Sequence, residues 1–253
     1  MAEAAVPTPR PRRRLRVGRG AVARGALGVF AAAAAAHLVG QLAGAGWLVH
    51  ATKPVLMPAL AACAAARGAP RALVAGLGFG WAGDVLLQMG GDGPFLAGMG
   101  AFGAGHVCYL ALFRRQTRLP RPRERWLVVA YAAAWAAGVG ALWPGLDPGL
   151  RGPVAAYSLL LAVMALGAAR FGPRAGAGGA LFLLSDTLIA TDLADWPQLP
   201  AAGFWVMATY LAAQYLITDG VLRRMAPAGG PERAPLPAPA PASADGEGRA
   251  AAP

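Results

Sequence analysis

The sequence predicts an all-α fold: a polytopic membrane helix bundle of about eight transmembrane helices. Apolar residues (AVILMFWYC) make up 57% of the 253 residues and charged residues only 14%, whereas a soluble domain has about 25% charged residues. The mean hydropathy is +0.46. A soluble domain of this length cannot bury so much apolar surface, and the continuous apolar runs lack the alternation of barrel strands. The chain is therefore expected to be an integral membrane protein.

Pro, Gly and Arg divide the apolar part of the chain into segments, most of them near the roughly 20 residues that a helix needs to cross the hydrocarbon core. The predicted spans are 21–41, 54–66, 71–90, 94–113, 126–143, 152–170, 174–192 and 201–222. Together they form one transmembrane domain over residues 21–225. Residues 1–20, which are basic, and residues 226–253, which are rich in Pro and Ala, are expected to be disordered cytoplasmic tails.

The basic residues predict the orientation in the membrane. With eight spans, all but two of the 23 Lys and Arg residues fall on the side of the N-terminus, the exceptions being Lys53 and Arg151. Since positively charged loops stay in the cytoplasm, both termini are expected to be cytoplasmic, with the protein in the plasma (inner) membrane. The same distribution argues against a nucleic-acid partner: the basic residues flank the spans, and no nucleic-acid-binding motif is present.

Two acidic residues lie inside the predicted spans, Asp84 in the third and Asp186 in the seventh. Each is about six residues, roughly 9 Å along a helix, from the same end of its span, so the two carboxyl groups should lie at similar depth. A charge at this depth is energetically expensive and usually pairs with another group or lines a cavity. The pair therefore indicates a functional site; helix-packing hydrogen bonds are the alternative.

Lys53 is the only lysine in the chain and precedes Pro54. Because Pro is favoured in the first turn of a helix, Lys53 is expected near the N-terminus of the second span, where its ammonium and free backbone N–H groups would suit a phosphate or a carboxylate. An interfacial lysine that extends towards the headgroups is the alternative.

Other polar side chains lie deeper in the spans. His106 and Tyr109 share a face of the fourth span, Tyr157 lies in the sixth and Gln214 in the last. They are expected to bind substrate, or else to be satisfied packing residues. A zinc site could combine His106 with the two aspartates, but no local ligand spacing supports it, so neither a metal nor a cofactor is expected.

A short internal similarity suggests a four-plus-four parallel repeat. Residues 83–87 (GDVLL) and 185–189 (SDTLI) occupy the third and seventh spans. The second and sixth spans are expected to begin with Lys-Pro at 53–54 and Gly-Pro at 152–153. Four spans return the chain to the same side of the membrane, so such a repeat places both aspartates alike.

Several motifs together resemble the YhhN-like family of multi-pass membrane proteins, in order over roughly residues 50–220. They are Thr52-Lys53-Pro54 with Met57-Pro58; Gly83-Asp84-x-Leu86-Leu87; Phe95 through Gly98, Phe102, His106 and Tyr109; Gly179-Ala180-x-Phe182-x-x-Ser185-Asp186; and Tyr210-x-x-x-Gln214. The resemblance implies about eight transmembrane helices. It also implies a lysoplasmalogenase-like activity, which hydrolyses the vinyl ether bond of a lysophospholipid within the membrane to a fatty aldehyde and a glycerophospho-ethanolamine or -choline.

The polar residues suit the implied reaction. Vinyl ether cleavage needs a carboxylic acid that protonates the β-carbon, and a carboxylate that stabilises the resulting oxocarbenium ion and activates water, as the carboxyl pair of a glycosidase does. Asp84 and Asp186 are the candidate catalytic residues, without a choice of which is the acid. Lys53 is the candidate for the lipid phosphate, and His106, Tyr109, Tyr157 and Gln214 would orient water or the glycerol.

Two other functions are compatible with buried aspartates. In a proton-coupled transporter Asp84 and Asp186 would relay protons, and in a non-catalytic membrane scaffold they would make packing hydrogen bonds. A transporter moves its substrate without covalent change, whereas a scaffold should tolerate Asp→Asn substitution at both positions.

Overall fold

The computed structural model describes residues 13–116 and 125–225 and confirms the all-α bundle. Apart from short connections, all of these residues are helical. The helices are α1 (Arg13–Ala43), α2 (Gly46–Ala66), α3 (Arg71–Gln88), α4 (Asp92–Gln116), α5 (Arg125–Leu142), α6 (Pro148–Phe171), α7 (Pro173–Leu193) and α8 (Ala202–Met225). Each corresponds to one predicted span.

Five of the eight helices, α1, α2, α4, α5 and α6, contain a stretch long and apolar enough to cross a membrane. The stretches are 18–43, 46–66, 92–115, 125–142 and 148–171. The other three helices contain the buried or partly buried acidic residues Asp84, Asp186 and Asp219. The chain is a multi-pass integral membrane protein.

Several helices begin earlier than the sequence indicated, and α6 starts at Pro148, so the expectation that Gly152-Pro153 begins the sixth span is wrong. The first starts at Arg13, so residues 13–20 belong to α1 and not to a tail; residues 1–12 and the expected tail 226–253 lie outside the described residues. The second starts at Gly46, so the expectation that Lys53 marks a helix N-terminus is wrong. Pro54 and Pro58 lie inside α2, because an apolar segment continues the helix through a proline at the cost of one backbone hydrogen bond.

The helix contacts form a closed cycle. Each of α1, α2, α3, α4, α6, α7 and α8 packs against the next, and α8 packs back against α1. The remaining helix, α5, packs against α6 and α7. The interior of the cycle is therefore filled by side chains of seven helices, and α5 covers the seam between α6 and α7.

The two ends of the bundle differ in charge. Successive helices are joined by short connections and run antiparallel, which brings the arginines at helix ends together. This arginine-rich end contains Arg67, Arg71, Arg114, Arg115, Arg125, Arg170, Arg174, Arg223 and Arg224. Asp219 is buried there and accepts hydrogen bonds from Arg174 (3.0 Å) and Arg223 (2.6 Å).

Small residues allow close helix packing near the arginine-rich end. A Cβ on Gly176 would lie 2.8 Å from Ala169 Cα, and one on Gly178 would lie 2.8 Å from the carbonyl oxygen of Ala213. These distances leave no room for a side chain, so α7 contacts α6 on one side and α8 on the other almost backbone to backbone.

Candidate functional site

Asp84 lies in α3, four residues before the helix ends, and is only 2% exposed. Its Oδ2 accepts a hydrogen bond of 2.8 Å from the Tyr210 hydroxyl of α8. Its Oδ1 faces Lys53 Nζ of α2 at 3.8 Å, and the lysine side chain is 15% exposed. The carboxyl group is thus placed between a cation and a neutral hydroxyl donor.

The two prolines of α2 help to place Lys53 beside Asp84. Pro58 has no N–H to donate to the carbonyl of Pro54 four residues earlier. This carbonyl instead accepts a hydrogen bond of 3.0 Å from Trp81 Nε1 of α3. Trp81 lies one turn before Asp84, so the contact fixes α2 against α3 next to the ion pair.

Asp186, in α7, has different partners. Its Oδ2 accepts a hydrogen bond of 2.5 Å from the hydroxyl of Tyr157 in α6. Tyr157 has only one proton to donate, so the 3.1 Å contact between its oxygen and His106 Nε2 requires the histidine to donate. Among the described residues no Lys or Arg forms an ion pair with Asp186, which distinguishes it from Asp84.

The remaining deep polar residues extend the network of Asp84. Tyr109 of α4 donates to Gln214 Oε1 (2.7 Å), and Gln214 Nε2 donates to the Tyr210 hydroxyl (3.3 Å). All three side chains are almost fully buried. Two chains of hydrogen bonds therefore reach the site, one ending at Asp84 and the other at Asp186.

Glycines on one face of α3 make room for these side chains. A Cβ on Gly76 would lie 2.3 Å from the Tyr109 ring, and a Cβ on Gly80 would lie 3.1 Å from Gln214 Nε2 and 3.2 Å from the Tyr210 hydroxyl. The sequence Gly76-x-x-x-Gly80 thus determines where the hydrogen-bonded residues of α4 and α8 fit.

Aromatic rings pack beside the aspartates. The rings of Phe102, Phe182 and Tyr210 contact one another edge to face at centroid distances of 5.4 to 6.4 Å. The His106 ring packs edge to face on Phe182 at 4.8 Å. These contacts fix the rings that carry the hydrogen-bonding groups and exclude water from behind the site.

Both aspartates line one cavity of about 280 Å³. Its polar wall consists of Lys53, Asp84, Tyr157, Ser158, Ser185, Asp186, Thr187 and Tyr210. Apolar residues of α3 to α8 form most of the rest, including five residues of α5. Two carboxyl groups and an ammonium group thus face a largely apolar space, an arrangement suited to proton transfer on an amphipathic molecule.

The structure brings four of the seven predicted site residues to the cavity: Lys53, Asp84, Tyr157 and Asp186. The other three lie behind it: His106 contacts Tyr157, Gln214 donates to Tyr210, and Tyr109 donates to Gln214. Sequence reasoning missed Tyr210 as a site residue. Its spacing of four residues from Gln214 was the available signal, since such residues share a helix face.

The suggested zinc site is not formed by the described residues. Among residues 13–116 and 125–225, no group of three or more His, Cys, Asp and Glu side chains is arranged to hold a metal ion. His106 Nε2 instead contacts Tyr157, and His106 Nδ1 has no hydrogen-bond partner.

Curated relatives match about half of the chain. Lysoplasmalogenase TMEM86B of Homo sapiens is 36% identical over 133 residues, 53% of this chain and 56% of that protein. The Rattus norvegicus protein of the same name is 35% identical over 129 residues (51% and 53%), and the Sus scrofa protein is 38% identical over 127 residues (50% and 54%). The chain thus spans about half the length of these relatives. No solved structure matches it.

The family match is longer than these alignments. The model of the YhhN family covers residues 48–221, which include all seven predicted site residues and Tyr210. This range begins within α2 and ends within α8, so it contains the whole cavity wall. With more than half of its length matched, the chain belongs to the YhhN family.

Proposed function

We propose that this protein is an intramembrane hydrolase that cleaves the vinyl ether bond of lysoplasmalogens, giving a fatty aldehyde and a glycerophospho-ethanolamine or -choline. The observation that carries the proposal is the pair of aspartates with unlike partners on one largely apolar cavity. Relatives that are named lysoplasmalogenase and are 35–38% identical to this chain support the choice of substrate.

The unlike partners support different roles for the two carboxyl groups. Asp84 faces the ammonium of Lys53, which favours the carboxylate. Asp186 has no such cation among the described residues, and its Oδ1 accepts none of the hydrogen bonds found there, so it can carry a proton. Asp186 is therefore the general acid and Asp84 the carboxylate that stabilises developing positive charge.

The reaction then proceeds with a balanced set of protons. Asp186 gives its proton to the β-carbon of the vinyl ether, and the double-bond electrons form the new C–H bond. Water attacks the resulting oxocarbenium carbon and returns a proton to the Asp186 carboxylate. The hemiacetal loses its hydroxyl proton as the bond to the glycerol oxygen breaks, and that oxygen takes up a proton. Addition of one water thus yields the aldehyde and the alcohol.

The other cavity residues orient the substrate. Lys53 lies on the wall with Asp84 and can attract the lipid phosphate while it pairs with the carboxylate. Tyr157 donates to Oδ2 of Asp186 and Tyr210 donates to Oδ2 of Asp84, so Oδ1 of each aspartate is left for the substrate or for Lys53. His106, Tyr109 and Gln214 act through these tyrosines and not by contact with the lipid.

The decisive experiment is to incubate the detergent-purified protein with lysoplasmenyl-ethanolamine and to detect aldehyde by mass spectrometry. Asp84→Asn and Asp186→Asn should each lower turnover by about 10²-fold or more, the scale of lost acid–base catalysis. The double variant should be little worse than the worse single one, because residues that act as a unit are not additive.

Asp192→Asn is the matched control, since Asp192 is an exposed carboxylate farther along α7 that does not line the cavity. Near wild-type cleavage by folded Asp84→Asn and Asp186→Asn would refute the mechanism. Flux of unaltered lipid in proteoliposomes would favour the transporter, and cleavage that stops with a chelator and returns with zinc would favour a metal-dependent reaction.

We further propose that both termini are cytoplasmic and that the protein lies in the plasma (inner) membrane. The arginine-rich end of the bundle supports this orientation, because basic loops remain in the cytoplasm. Reporter fusions after Gly91 and after Asp195 should read extracytoplasmic, and a fusion after Arg224 cytoplasmic. A cytoplasmic signal at Gly91 would contradict the eight-span arrangement.

A further inference from the structure

The cavity extends well beyond the aspartates, into the space beneath α5. Helices α6 and α7 are closely packed near the arginine-rich end, yet farther along they face the cavity with Val154, Ser158 and Leu161 on α6 and with Leu183 and Ala190 on α7. The fifth helix supplies the outer wall through Ala134, Trp135, Gly138, Val139 and Leu142. Here the lining is almost entirely apolar.

Helix α5 makes few contacts with α6 and α7, and most of them are apolar. Leu142, which is 7% exposed, is the one buried residue among those described in α5, and it packs in a small cluster with Leu146, Val154 and Ala194. Within the described part of the chain, α5 makes one side-chain hydrogen bond, from Trp135 Nε1 to Ser158 Oγ at 3.1 Å. The wall beneath α5 thus offers few polar partners to water, which favours an apolar occupant.

We propose that the space beneath α5 is the binding site for the hydrocarbon chain of the substrate, and that Trp135 and Gly138 set the chain length that it accepts. The identity of the chain as an alkenyl group rests on the function proposed above. The inferred subsite itself rests on the shape and composition of the cavity.

The order of groups along the cavity matches the order of groups in such a lipid. Lys53 pairs with Asp84 on one side, and Asp186 bonds to Tyr157 on the side of α6, which α5 covers. A phosphate at Lys53 then places the glycerol near Asp84, the vinyl ether near Asp186 and the chain beneath α5. The β-carbon, which is the vinyl carbon nearer the chain, falls beside the proposed acid.

Two glycines of α5 provide a matched pair for a test. A Cβ on either Gly138 or Gly140 would meet no atom within 4 Å, so each position has room for a larger side chain. Gly138 lines the cavity, whereas Gly140 is exposed and does not. A leucine at 138 would therefore occupy space meant for the chain, and the same leucine at 140 would face outward.

The experiment measures cleavage and binding over a series of lysoplasmenyl-ethanolamines whose chains lengthen in steps of two carbons. Their alkyl ether analogues, which lack the double bond and are not cleaved, report binding alone. Each methylene kept out of an apolar site weakens binding about fourfold. Loss of two methylenes from the site in Gly138→Leu should therefore weaken binding of the longest chains about fifteenfold and move the preferred chain to a shorter one.

Trp135→Ala enlarges the same space and should shift the preference to longer chains, while Gly140→Leu should keep the wild-type profile. An unchanged chain-length profile in both folded Gly138→Leu and Trp135→Ala would refute the subsite, as would equal shifts in Gly138→Leu and Gly140→Leu. A wild-type protein that cleaves no member of the series would refute the proposed function; a Gly138-specific shift in analogue binding would still support the subsite.

Discussion

Replacement of Tyr157 by phenylalanine removes one oxygen and two hydrogen bonds. Tyr157 donates to Asp186 Oδ2 at 2.5 Å and accepts from His106 Nε2 at 3.1 Å. Phenylalanine keeps the ring and its packing against His106, whose centroid is 5.5 Å away. The substitution therefore tests the hydrogen bonds with little change of shape.

The two lost bonds have different consequences. His106 is 1% exposed and its Nδ1 has no hydrogen-bond partner among the described residues, so Tyr157→Phe leaves the imidazole without a hydrogen bond to them. An unsatisfied buried donor costs about 1–3 kcal/mol, which should appear as lost stability. Asp186 lines the cavity, where water can replace the tyrosine hydroxyl as its hydrogen-bond donor. The loss of the bond from Tyr157 to Asp186 should therefore appear in turnover. Asp186 becomes a carboxylate as it gives up its proton, and a hydrogen bond to a charged group contributes about 1.5–3 kcal/mol, so kcat should fall roughly 10- to 150-fold.

The assay combines thermal unfolding in detergent with aldehyde release, and Tyr215→Phe, at an exposed tyrosine of α8, is the control. Adding His106→Phe to Tyr157→Phe should restore stability, because replacing both partners by apolar groups is nearly neutral. It should not restore turnover. If Tyr157→Phe matches Tyr215→Phe in both stability and kcat, the assignment of Tyr157 as the residue that positions Asp186 is wrong.

Two further variants test the surroundings of Asp84. Lys53→Met should raise KM about tenfold or more through loss of the phosphate contact, and it should also lower kcat because Asp84 loses its cation. Lys53→Arg should retain part of the binding and part of the turnover. Unchanged kinetics in Lys53→Met would remove the lysine from the site. Gly76→Ala places a Cβ 2.3 Å from the Tyr109 ring and should destabilise the folded protein by about 1–3 kcal/mol. The control is Gly78→Ala, where a Cβ meets no described atom within 4 Å, and it should unfold like the wild type. Equal unfolding temperatures for the two variants would contradict the close packing.

The helices were readable from the sequence because membrane thickness fixes their length and Pro, Gly and Arg mark their ends. The error at α2 shows the limit of that reading. Pro54 resembles a helix start, yet the preceding residues from Gly46 are apolar enough to continue the helix. Burial in the bundle compensates for one missing hydrogen bond, and local propensity cannot reveal such compensation.

The site was only partly predictable. Asp84 and Asp186 stand out because charges inside apolar spans are rare. Their partners depend on which helices are neighbours. In the bundle α4 packs against α6 and α6 against α7, with α5 outside, and the sequence of no single helix indicates this order. Tyr210 was therefore overlooked, although it holds Asp84. The four-plus-four repeat stays a prediction. Asp84 in the first half contacts α2 and also α8, whereas Asp186 in the second half contacts α6.

The glycine-mediated packing of α7 distinguishes a closely packed end of the bundle from the end that contains the cavity. Gly176 and Gly178 pack α7 tightly against α6 and α8 near the arginine-rich end, and the residues of α7 that line the cavity begin only at Leu183. In the proposed reaction, the headgroup would therefore lie towards the end of the bundle opposite the arginines. With the proposed cytoplasmic termini, that end faces the extracytoplasmic side of the membrane.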